Sequence, residues 1–457
     1  MTTQVALNRL DKTNRTPETS RSLSGKPGCQ AALLGAALTG VLLAATAATA
    51  EPSVQQIGDI FVIAMENHNF TQPTNQTSPA QIFGNPAAPF MNSLITPGHS
   101  NAVQVSFATA YYPAGKGAHP SEPNYIWAEA GSDFGFHSDA DPKPATGNIF
   151  AVPHLTAQFN AAGIPWKNYQ EDVQYSSGPT HSASGSGAVN AYNGSTQYKY
   201  AVKHNPMAFF TDTQTQNLYP LTNFLSQLTN NLVGRYNWIT PGLYNDMHDP
   251  ISGGFYYHGI AYTNDQSAIA QGDNFLSIMV PKIMASAAYQ NNGAIVIWWD
   301  ESEGADSTSY TIPEIIISPL AKGNAYAGTL EYSHSSDIKT IETIFGLSFL
   351  ANVIPAGETR ATGSGYNNVA TVNDLSDLFV PPLVAPSDLS VRFVPGSGFE
   401  ITFAIPAGQT YRVLSSADVT APLDSWTQIT SGTATSNSVT ITDTNIADVQ
   451  FYRVASP

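Results

Sequence analysis

The feature that most constrains this 457-residue chain is a set of apolar runs that alternate with stretches of helical spacing. Residues 58–65, 293–300 and 311–318 read GDIFVIAM, GAIVIWWD and TIPEIIIS. Continuous apolar runs of this kind are typical of parallel strands that are covered on both faces. Residues 273–289 and 336–346 carry helical spacing instead. The alternation predicts an α/β fold with a mostly parallel sheet flanked by helices.

The character of the chain changes at a proline-rich segment, residues 382–390, which we interpret as a linker. Beyond it come six short alternating runs, about ten residues apart and rich in Thr, Val and aromatic residues. They predict a small all-β sandwich over residues 391–457, separate from a catalytic domain over 51–381. The sandwich has no histidine and no cluster of acids, so carbohydrate binding, surface binding and a passive spacer all stay open for it.

The first fifty residues have the pattern of a secretory leader. Five basic residues precede an apolar run at 31–50, which ends in the small-residue sequence ATA before Glu51. This predicts a signal peptide over 1–50, a secreted or periplasmic protein, and no stable membrane span after cleavage. An uncleaved membrane anchor is the alternative, because about 20 apolar residues can span a bilayer. The only cysteine, Cys29, lies in the leader, so the mature chain would have no thiol nucleophile and no disulfide.

The charge of the mature chain excludes one class of partner. The leader contains five of the 18 Lys+Arg and two of the 34 Asp+Glu, which leaves 13 against 32, a net charge of about −19. Such a surface repels polyanions, so we expect no nucleic-acid partner. An anionic substrate would need a local positive centre, and a metal ion is the obvious candidate.

Acidic and amide side chains follow two of the apolar runs. Glu66 and Asn67 come directly after the first run, and Asp300 and Glu301 end the second. Ligands of parallel sheets bind beyond the carboxyl ends of the strands, and paired buried acids repel each other unless a cation lies between them. Oxygen ligands of this kind suit Mg, Ca or Mn. Helix capping or a solvated turn is the alternative for any single acid.

A serine in a rigid segment is the candidate nucleophile. HPSEPNY, residues 119–125, holds Ser121 between two prolines, which restrict the backbone around it. The segment can present a nucleophile at a fixed angle, or it can be a simple turn. No G-x-S-x-G elbow surrounds Ser121, which argues against a hydrolase of that type. A metal ion could instead activate the hydroxyl by lowering its pKa.

Three histidines lie beside an acid, a serine or a strand end. They are His119, His248 and His334. Histidine can bind a metal ion, donate to a phosphate or protonate a leaving group. A histidine in such a place can equally be an ordinary hydrogen-bonding residue, so these three are candidates only.

The motifs, taken in order, resemble the phosphoesterase family of secreted acid phosphatases and bacterial phospholipases C, within the alkaline-phosphatase-like superfamily. The resemblance covers most of residues 58–350 and implies an alkaline-phosphatase-like fold and the hydrolysis of a small phosphoric ester. The matching segments include IFVIAMENHNF, HPSEPNYIWAEAGS, KHNPMAFF, ITPGLYNDMHD, IVIWWDESEG and YSHSSDIKTIETIFGL.

The resemblance also implies roles for individual residues. A divalent ion, whose identity among Mg, Ca, Mn and Zn stays open, would be bound by Glu66, Asn67, Ser121, Asp300 and Glu301. Ser121 would form a phosphoserine, and His248 or His334 would protonate the leaving alcohol. Substrate binding is implied for His119, Asn124 and, more weakly, Asp246 and Asp249.

One departure from the family pattern bears on the substrate. The phospholipase C branch follows its acidic pair with a glycine pair and then Asp-His-Val, whereas this chain reads DESEGADSTSY, with Ser307 after Asp306. HPSEPNY is also the acid phosphatase form. Both features favour a phosphomonoesterase. The alternatives are a phospholipase C or another phosphodiesterase, and an inactive secreted binding protein on the same fold.

Overall fold

The structure, a computed structural model, describes residues 4–9, 53–113, 119–186, 197–303, 309–352, 372–380, 386–422, 425–445 and 449–455. The chain forms two compact units. One comprises residues 52–381, and the other joins residues 1–51 to residues 382–457. Within the described ranges, none of the helices has the length and apolar character needed to cross a membrane.

The secondary structure alternates through most of the chain. In chain order the strands are β1 Gln4–Arg9, β2 Ile60–Met65, β3 Val105–Tyr112, β4 Trp166–Gln170, β5 Ala183–Ser186, β6 Gln197–Tyr200, β7 Leu218–Pro220, β8 Tyr236–Thr240, β9 Phe255–Tyr257, β10 Ile260–Tyr262, β11 Ala294–Trp299, β12 Glu314–Ile317, β13 Tyr326–Ser333, β14 Ser387–Val394, β15 Gly398–Ala404, β16 Thr410–Ser416, β17 Thr427–Thr433, β18 Ser438–Asp443 and β19 Val449–Ala455. The α-helices are α1 Pro89–Leu94, α2 Ser121–Ala130, α3 Leu155–Ala162, α4 Phe224–Thr229, α5 Asp265–Met284, α6 Ala287–Gln290 and α7 His334–Phe345.

The larger unit is built on one eight-stranded sheet, in the order β13-β3-β12-β11-β2-β8-β4-β7. Its strand pairs are parallel except the two that β12 makes, with β11 and with β3. The prediction of an α/β fold with a mostly parallel sheet is therefore confirmed. The apolar run at 311–318 predicts a parallel strand, but it forms β12, which is antiparallel to both of its neighbours. Because β12 is the next strand after β11 and also its neighbour, it runs antiparallel; a parallel neighbour needs a crossover.

Strands β2 and β11 lie side by side at the centre of this sheet, and all six residues of each are buried. Burial of apolar side chains such as Phe61 and Ile297 stabilises the fold by about 1.5–3 kcal/mol each. The two strands are parallel, with Met65 opposite Trp299. Both therefore end at the same edge, and the residues that follow them come together there.

The smaller unit consists of two antiparallel sheets, β1-β19-β16-β17 and β14-β15-β18. Alternate residues of β15, such as Ile401 and Phe403, are buried in a core shared with Val413 and Tyr452. All six runs beyond residue 390 form strands, which confirms the all-β prediction. Strand β14 begins inside the segment interpreted as a linker. Residues 10–50 of the predicted leader lie outside the described ranges.

Candidate active site

The polar residues that follow β2 and β11 form one hydrogen-bonded cluster. The backbone N–H of Asn67 donates to Oδ1 of Asp300 over 3.0 Å, and its side-chain Nδ2 donates to Oε1 of Glu301 over 2.9 Å. Glu66, Asp300 and Glu301 are buried. The in-register ends of the two strands thus bring Glu66 and Asn67 next to Asp300 and Glu301, which lie more than 230 positions later in the sequence.

Ser121 is the first residue of α2, and its side chain is buried beside this cluster. Its Oγ donates to Oε2 of Glu66 over 3.0 Å and lies 3.5 Å from Oδ1 of Asn67. The N-terminus of a helix presents free N–H groups and the positive end of the helix dipole, which favours negative charge at this position. The serine hydroxyl is therefore placed where an alkoxide or a phosphate would be stabilised.

Two further predicted residues contact the acidic pair through Glu301. Nδ1 of His119 lies 2.6 Å from Oε2 of Glu301, and Nδ2 of Asn124 donates to the same oxygen over 3.2 Å. Asn124 is one helical turn after Ser121 on α2, so the helix aims both side chains at the same edge of the sheet. The side chain of His119 is 29% exposed, although its Nε2 atom is buried.

The charges of the cluster fit a cation. Burial raises the pKa of Asp300 well above its usual range, and the negative charges of Glu66 and Glu301 raise it further. Oδ2 of Asp300 is buried without a hydrogen-bond partner among the described residues. A hard divalent ion would relieve this repulsion and supply the missing partner. Oxygen ligands for it are available on Glu66, Asn67, Ser121, Asp300 and Glu301.

His204 belongs to this site although sequence patterns assign it no role. Its Nε2 lies 2.9 Å from Oε1 of Glu66, its Nδ1 lies 3.6 Å from Oδ2 of Asp246, and its ring stacks on Tyr125. Burial lowers the pKa of His204, but the charge of Glu66 and the nearby carboxylate of Asp246 outweigh burial and raise it. Burial raises the pKa of Glu66, but the charge of His204 outweighs burial and lowers it. The contact therefore favours a carboxylate on Glu66 and a protonated ring on His204.

Lys203 brings a second positive charge to the site. Its Nζ lies 2.7 Å from Oδ2 of Asp139, and burial lowers its pKa less than the charges of Glu66 and Asp139 raise it. Lys203 and His204 lie in KHNPMAFF, a segment that contributes to the family resemblance. The available signal is compositional: an adjacent lysine and histidine in a chain with few basic residues.

The loop after β8 supplies Asp246, His248 and Asp249. The carbonyl of Asp246 accepts the N–H of Glu66 over 2.8 Å, and its Oδ1 accepts the N–H of His248 over 2.8 Å. Nδ1 of His248 lies 2.9 Å from Oδ1 of Asp249. Burial lowers the pKa of His248, but Asp249 and Glu66 raise it to about 9. Asp246 is fully buried and its contacts suit a positioning role, whereas His248 is a charged donor at neutral pH.

His334 occupies a different environment from the other predicted histidines. It is the first residue of α7, it is fully buried, and its Nε2 lies 3.1 Å from the carbonyl of Trp299. Burial lowers the pKa of His334 to about 3, so the ring is neutral under ordinary conditions. His248 consequently fits a proton-donating role better than His334. Asp306 and Ser307 lie outside the described residues.

Comparisons with known proteins identify the family to which the chain is related. The model of the Phosphoesterase family matches residues 105–348. A Phosphatidylinositol-3-phosphatase of Mycobacterium tuberculosis is 29% identical over 321 residues, which cover 68% of this chain and 88% of that protein. A Phosphate-repressible acid phosphatase of Penicillium chrysogenum is 26% identical over 244 residues, 51% of each chain. An Acid phosphatase of Aspergillus fumigatus is 28% identical over 286 residues, 58% of this chain and 56% of that one.

The chain spans about half the length of these two fungal relatives. Among solved structures, a protein in the Alkaline Phosphatase Superfamily from Vibrio parahaemolyticus aligns with a TM-score of 0.43 and 11% identity, over 80% of this chain and 78% of that one. That likeness is too weak to support an argument. The family match itself extends over more than half of the chain, from β3 to the residues just after α7. The chain belongs to the Phosphoesterase family and is a phosphoric ester hydrolase.

Proposed function

We propose that the chain is a secreted, metal-dependent phosphomonoesterase that acts through a phosphoserine on Ser121. The observation that carries the proposal is the position of the Ser121 hydroxyl. It lies at the N-terminus of α2, donates to Glu66 and is next to Asn67. The three relatives described above are all named as phosphatases, which supports monoester chemistry.

Glu66 is the group placed to orient the nucleophile. Its Oε2 accepts the hydrogen bond of the Ser121 hydroxyl over 3.0 Å, and the hydroxyl proton passes to solvent as Oγ forms its bond to phosphorus. The bond from phosphorus to the leaving oxygen breaks in line with this attack. His204 holds the other oxygen of Glu66, so the carboxylate keeps one orientation throughout.

His248 is the group that we assign to the leaving alcohol. Its ring is charged at neutral pH, and it gives its proton to the leaving oxygen as the phosphoserine forms. The neutral ring then takes a proton from the water that attacks the phosphoserine. Ser121 Oγ takes a proton from solvent as inorganic phosphate leaves, so the serine and the histidine both end in their starting states.

The substrate phosphate is bound by groups on the open side of the cluster. His119 and Asn124 provide donors, and Lys203 provides positive charge close to Glu66 and Asp300. A divalent ion on the five oxygen-bearing residues would supply positive charge that stabilises the phosphoryl oxygens and lowers the pKa of the serine hydroxyl. The identity of that ion stays open among Mg, Ca, Mn and Zn.

A small phosphate monoester outside the cytoplasm is the substrate that we propose. The leader pattern over residues 1–50 supports export, and the acidic mature chain argues against nucleic acid as a substrate. A phospholipase C or another phosphodiesterase is the second candidate, because the family resemblance includes both branches. For the C-terminal sandwich, carbohydrate binding, surface binding and a passive spacer all stay open.

The test compares a monoester with a diester. The mature protein would be assayed on p-nitrophenyl phosphate and on its bis-ester, with and without EDTA, beside Ser121→Ala. The matched control is Ser93→Ala, which removes a half-buried hydroxyl on α1 that donates to the carbonyl of Phe90. We expect monoester hydrolysis that is lost in EDTA and in Ser121→Ala, returns with a divalent ion, and is unchanged in Ser93→Ala.

The other outcomes point elsewhere. Hydrolysis of the bis-ester alone would favour a phosphodiesterase. Activity that survives Ser121→Ala would exclude the phosphoserine mechanism. No activity with any divalent ion would favour the alternative of an inactive secreted binding protein on the same fold.

A further inference from the structure

A second group of metal-ligating side chains lies outside the candidate active site. It consists of His68, Asp265 and Glu303, each of which offers one ligand atom within 4.8 Å of the other two. Nε2 of His68 lies 3.1 Å from Oδ1 of Asp265 and 3.7 Å from Oε2 of Glu303. None of the three belongs to the ligand set proposed for the active site. We call this group the second cation site.

The spacing of these atoms fits one ion between them. Zinc binds nitrogen and oxygen at about 2.0–2.2 Å, so two ligands of a tetrahedral site are about 3.3–3.5 Å apart. The two distances from His68 lie on either side of that value. Small rotations of the carboxylates would make all three atoms equidistant from a common centre. Asp265 and Glu303 are about one-third exposed, which leaves room for water as a further ligand.

The orientation of the His68 ring is also that of a metal ligand. The ring is almost fully buried, and its Nδ1 lies 3.4 Å from the carbonyl of Glu66. If Nδ1 carries the proton for that carbonyl, the lone pair on Nε2 faces two carboxylate oxygens with no donor between them. Histidines that bind metals commonly donate their other N–H to a backbone carbonyl in this way.

Glu303 provides an independent observation. Its Oε2 is buried and has no hydrogen-bond partner among the described residues, although it points towards His68. The backbone of Glu303 is fixed by Asn69, whose Oδ1 accepts its N–H and whose Nδ2 donates to its carbonyl. A buried carboxylate oxygen without a partner is destabilising, and a bound cation would supply that partner.

From these contacts we infer that His68, Asp265 and Glu303 bind a divalent transition-metal ion, with Zn²⁺ or Mn²⁺ as the chemistry that one imidazole and two carboxylates prefer. The ion would join three segments: the loop after β2, the loop after β11 and the first turn of α5. The first two loops also carry Glu66, Asn67, Asp300 and Glu301. The site would therefore fix the two loops that present the active-site acids.

His68 allows a test to distinguish zinc in the second cation site from zinc in the active site. The ligand set proposed for the active site contains no imidazole, whereas the second cation site contains His68. Zinc would be bound to the full mature chain of Asp300→Asn, in which the active-site set is weakened, and its X-ray absorption spectrum would be recorded. We expect one tightly bound zinc with the scattering signature of a histidine ligand, and loss of that signature in Asp300→Asn with His68→Gln.

Affinity provides the second readout. In the Asp300→Asn background, we expect Asp265→Asn and Glu303→Gln each to weaken zinc binding at least about tenfold by calorimetry. The matched control is His137→Gln, which removes a histidine 3.3 Å from Asp133 that belongs to no three-residue metal-ligand group among the described residues. Near-ultraviolet circular dichroism would verify that each variant is folded.

Two results would overturn the inference. One is zinc bound without a histidine signature in Asp300→Asn, or no zinc bound at all. The other is equal zinc affinity in Asp300→Asn with and without Asp265→Asn or Glu303→Gln, in which case the cluster is an ion pair of an imidazolium with two carboxylates. Neither readout depends on phosphatase activity, so failure of the proposed function would be recognised separately.

Discussion

Nε2 of His204 lies 2.9 Å from Oε1 of Glu66, and both side chains are buried. The opposite oxygen of Glu66 accepts the hydroxyl of Ser121. His204 is thus linked to the candidate nucleophile through a single carboxylate. Removal of one partner from a buried ion pair typically costs about 3–5 kcal/mol, because the other charge stays in the interior.

His204→Gln should therefore reduce both activity and stability. We expect kcat to fall at least about a hundredfold, since Glu66 loses the partner that orients it, while KM changes less. Steady-state kinetics on a monoester and thermal unfolding would measure the two effects. The control is His181→Gln, which removes a half-exposed histidine 3.4 Å from Asp141. Activity within twofold of wild type would contradict the assignment of His204.

Lys203→Gln should weaken substrate binding in particular. Its charge lies near Glu66 and Asp300, on the side where the phosphate is expected, so we predict a rise in KM and in the inhibition constant of inorganic phosphate. A rise of about tenfold corresponds to about 1.4 kcal/mol of lost interaction. Lys322→Gln, which breaks a 2.6 Å pair with Asp377, is the control and should leave both constants unchanged. An effect on kcat alone would count against phosphate binding by Lys203.

Asp300→Asn should separate metal binding from stability. Without metal the variant is expected to melt higher than wild type, because burial and the neighbouring carboxylates oppose the charge of Asp300. The shift in melting temperature on addition of a divalent ion should shrink. Scanning calorimetry in EDTA and in excess metal would measure both. The control is Asp273→Asn, a buried acid bonded to the N–H groups of Phe90 and Met91, for which the metal-dependent shift should persist.

The buried pair Glu314 and Asp337 should make the stability of the fold depend on pH, independently of any bound metal. Both carboxyls are buried, Tyr111 donates to Asp337, and no cation pairs with either of them among the described residues. Burial raises the pKa of Asp337 from 3.8 to about 7, and burial followed by the charge of Asp337 raises that of Glu314. Between about pH 4 and pH 7 the folded chain therefore binds more protons than the unfolded chain.

The sign follows from linkage. The contribution of this pair to stability is complete below pH 4 and is lost as the pH rises through 7, by about 1.4 kcal/mol per pH unit for each extra proton. Glu314→Gln should flatten the dependence of the melting temperature on pH between 4.5 and 8. Glu331→Gln, a half-buried carboxyl on β13, is the control. Parallel profiles for Glu314→Gln and wild type would contradict the prediction.

Much of this architecture could be predicted because strand periodicity is a local signal. The apolar runs of β2 and β11 and the acids that follow them were enough to predict a sheet edge with converging oxygen ligands. Helix α5 begins at Asp265, eight residues before the segment with clear helical spacing, since its first two turns lack a strong apolar contrast. The direction of β12 depends on its connection to β11, which apolar composition does not encode.

His204 could not be found in this way. It ends a short 3-10 helix, Val202–His204, and reaches Glu66 across 138 positions of the chain. Residues in such connections carry no periodic pattern, and only the tertiary fold determines their neighbours. The same holds for the second cation site, whose three residues come from two loops and a helix terminus.

All ten residues of α2 are buried, including Ser121 and Asn124. A change anywhere on this helix is therefore also a change in the interior, where a lost or added side-chain group commonly destabilises a protein by about 1–3 kcal/mol. During divergence of related enzymes, Ser121 and the other residues of α2 would vary little, because the fold does not tolerate substitutions at these buried positions. New substrate preferences would have to arise in the loops around His119 and His248, and directed evolution of this enzyme should begin there.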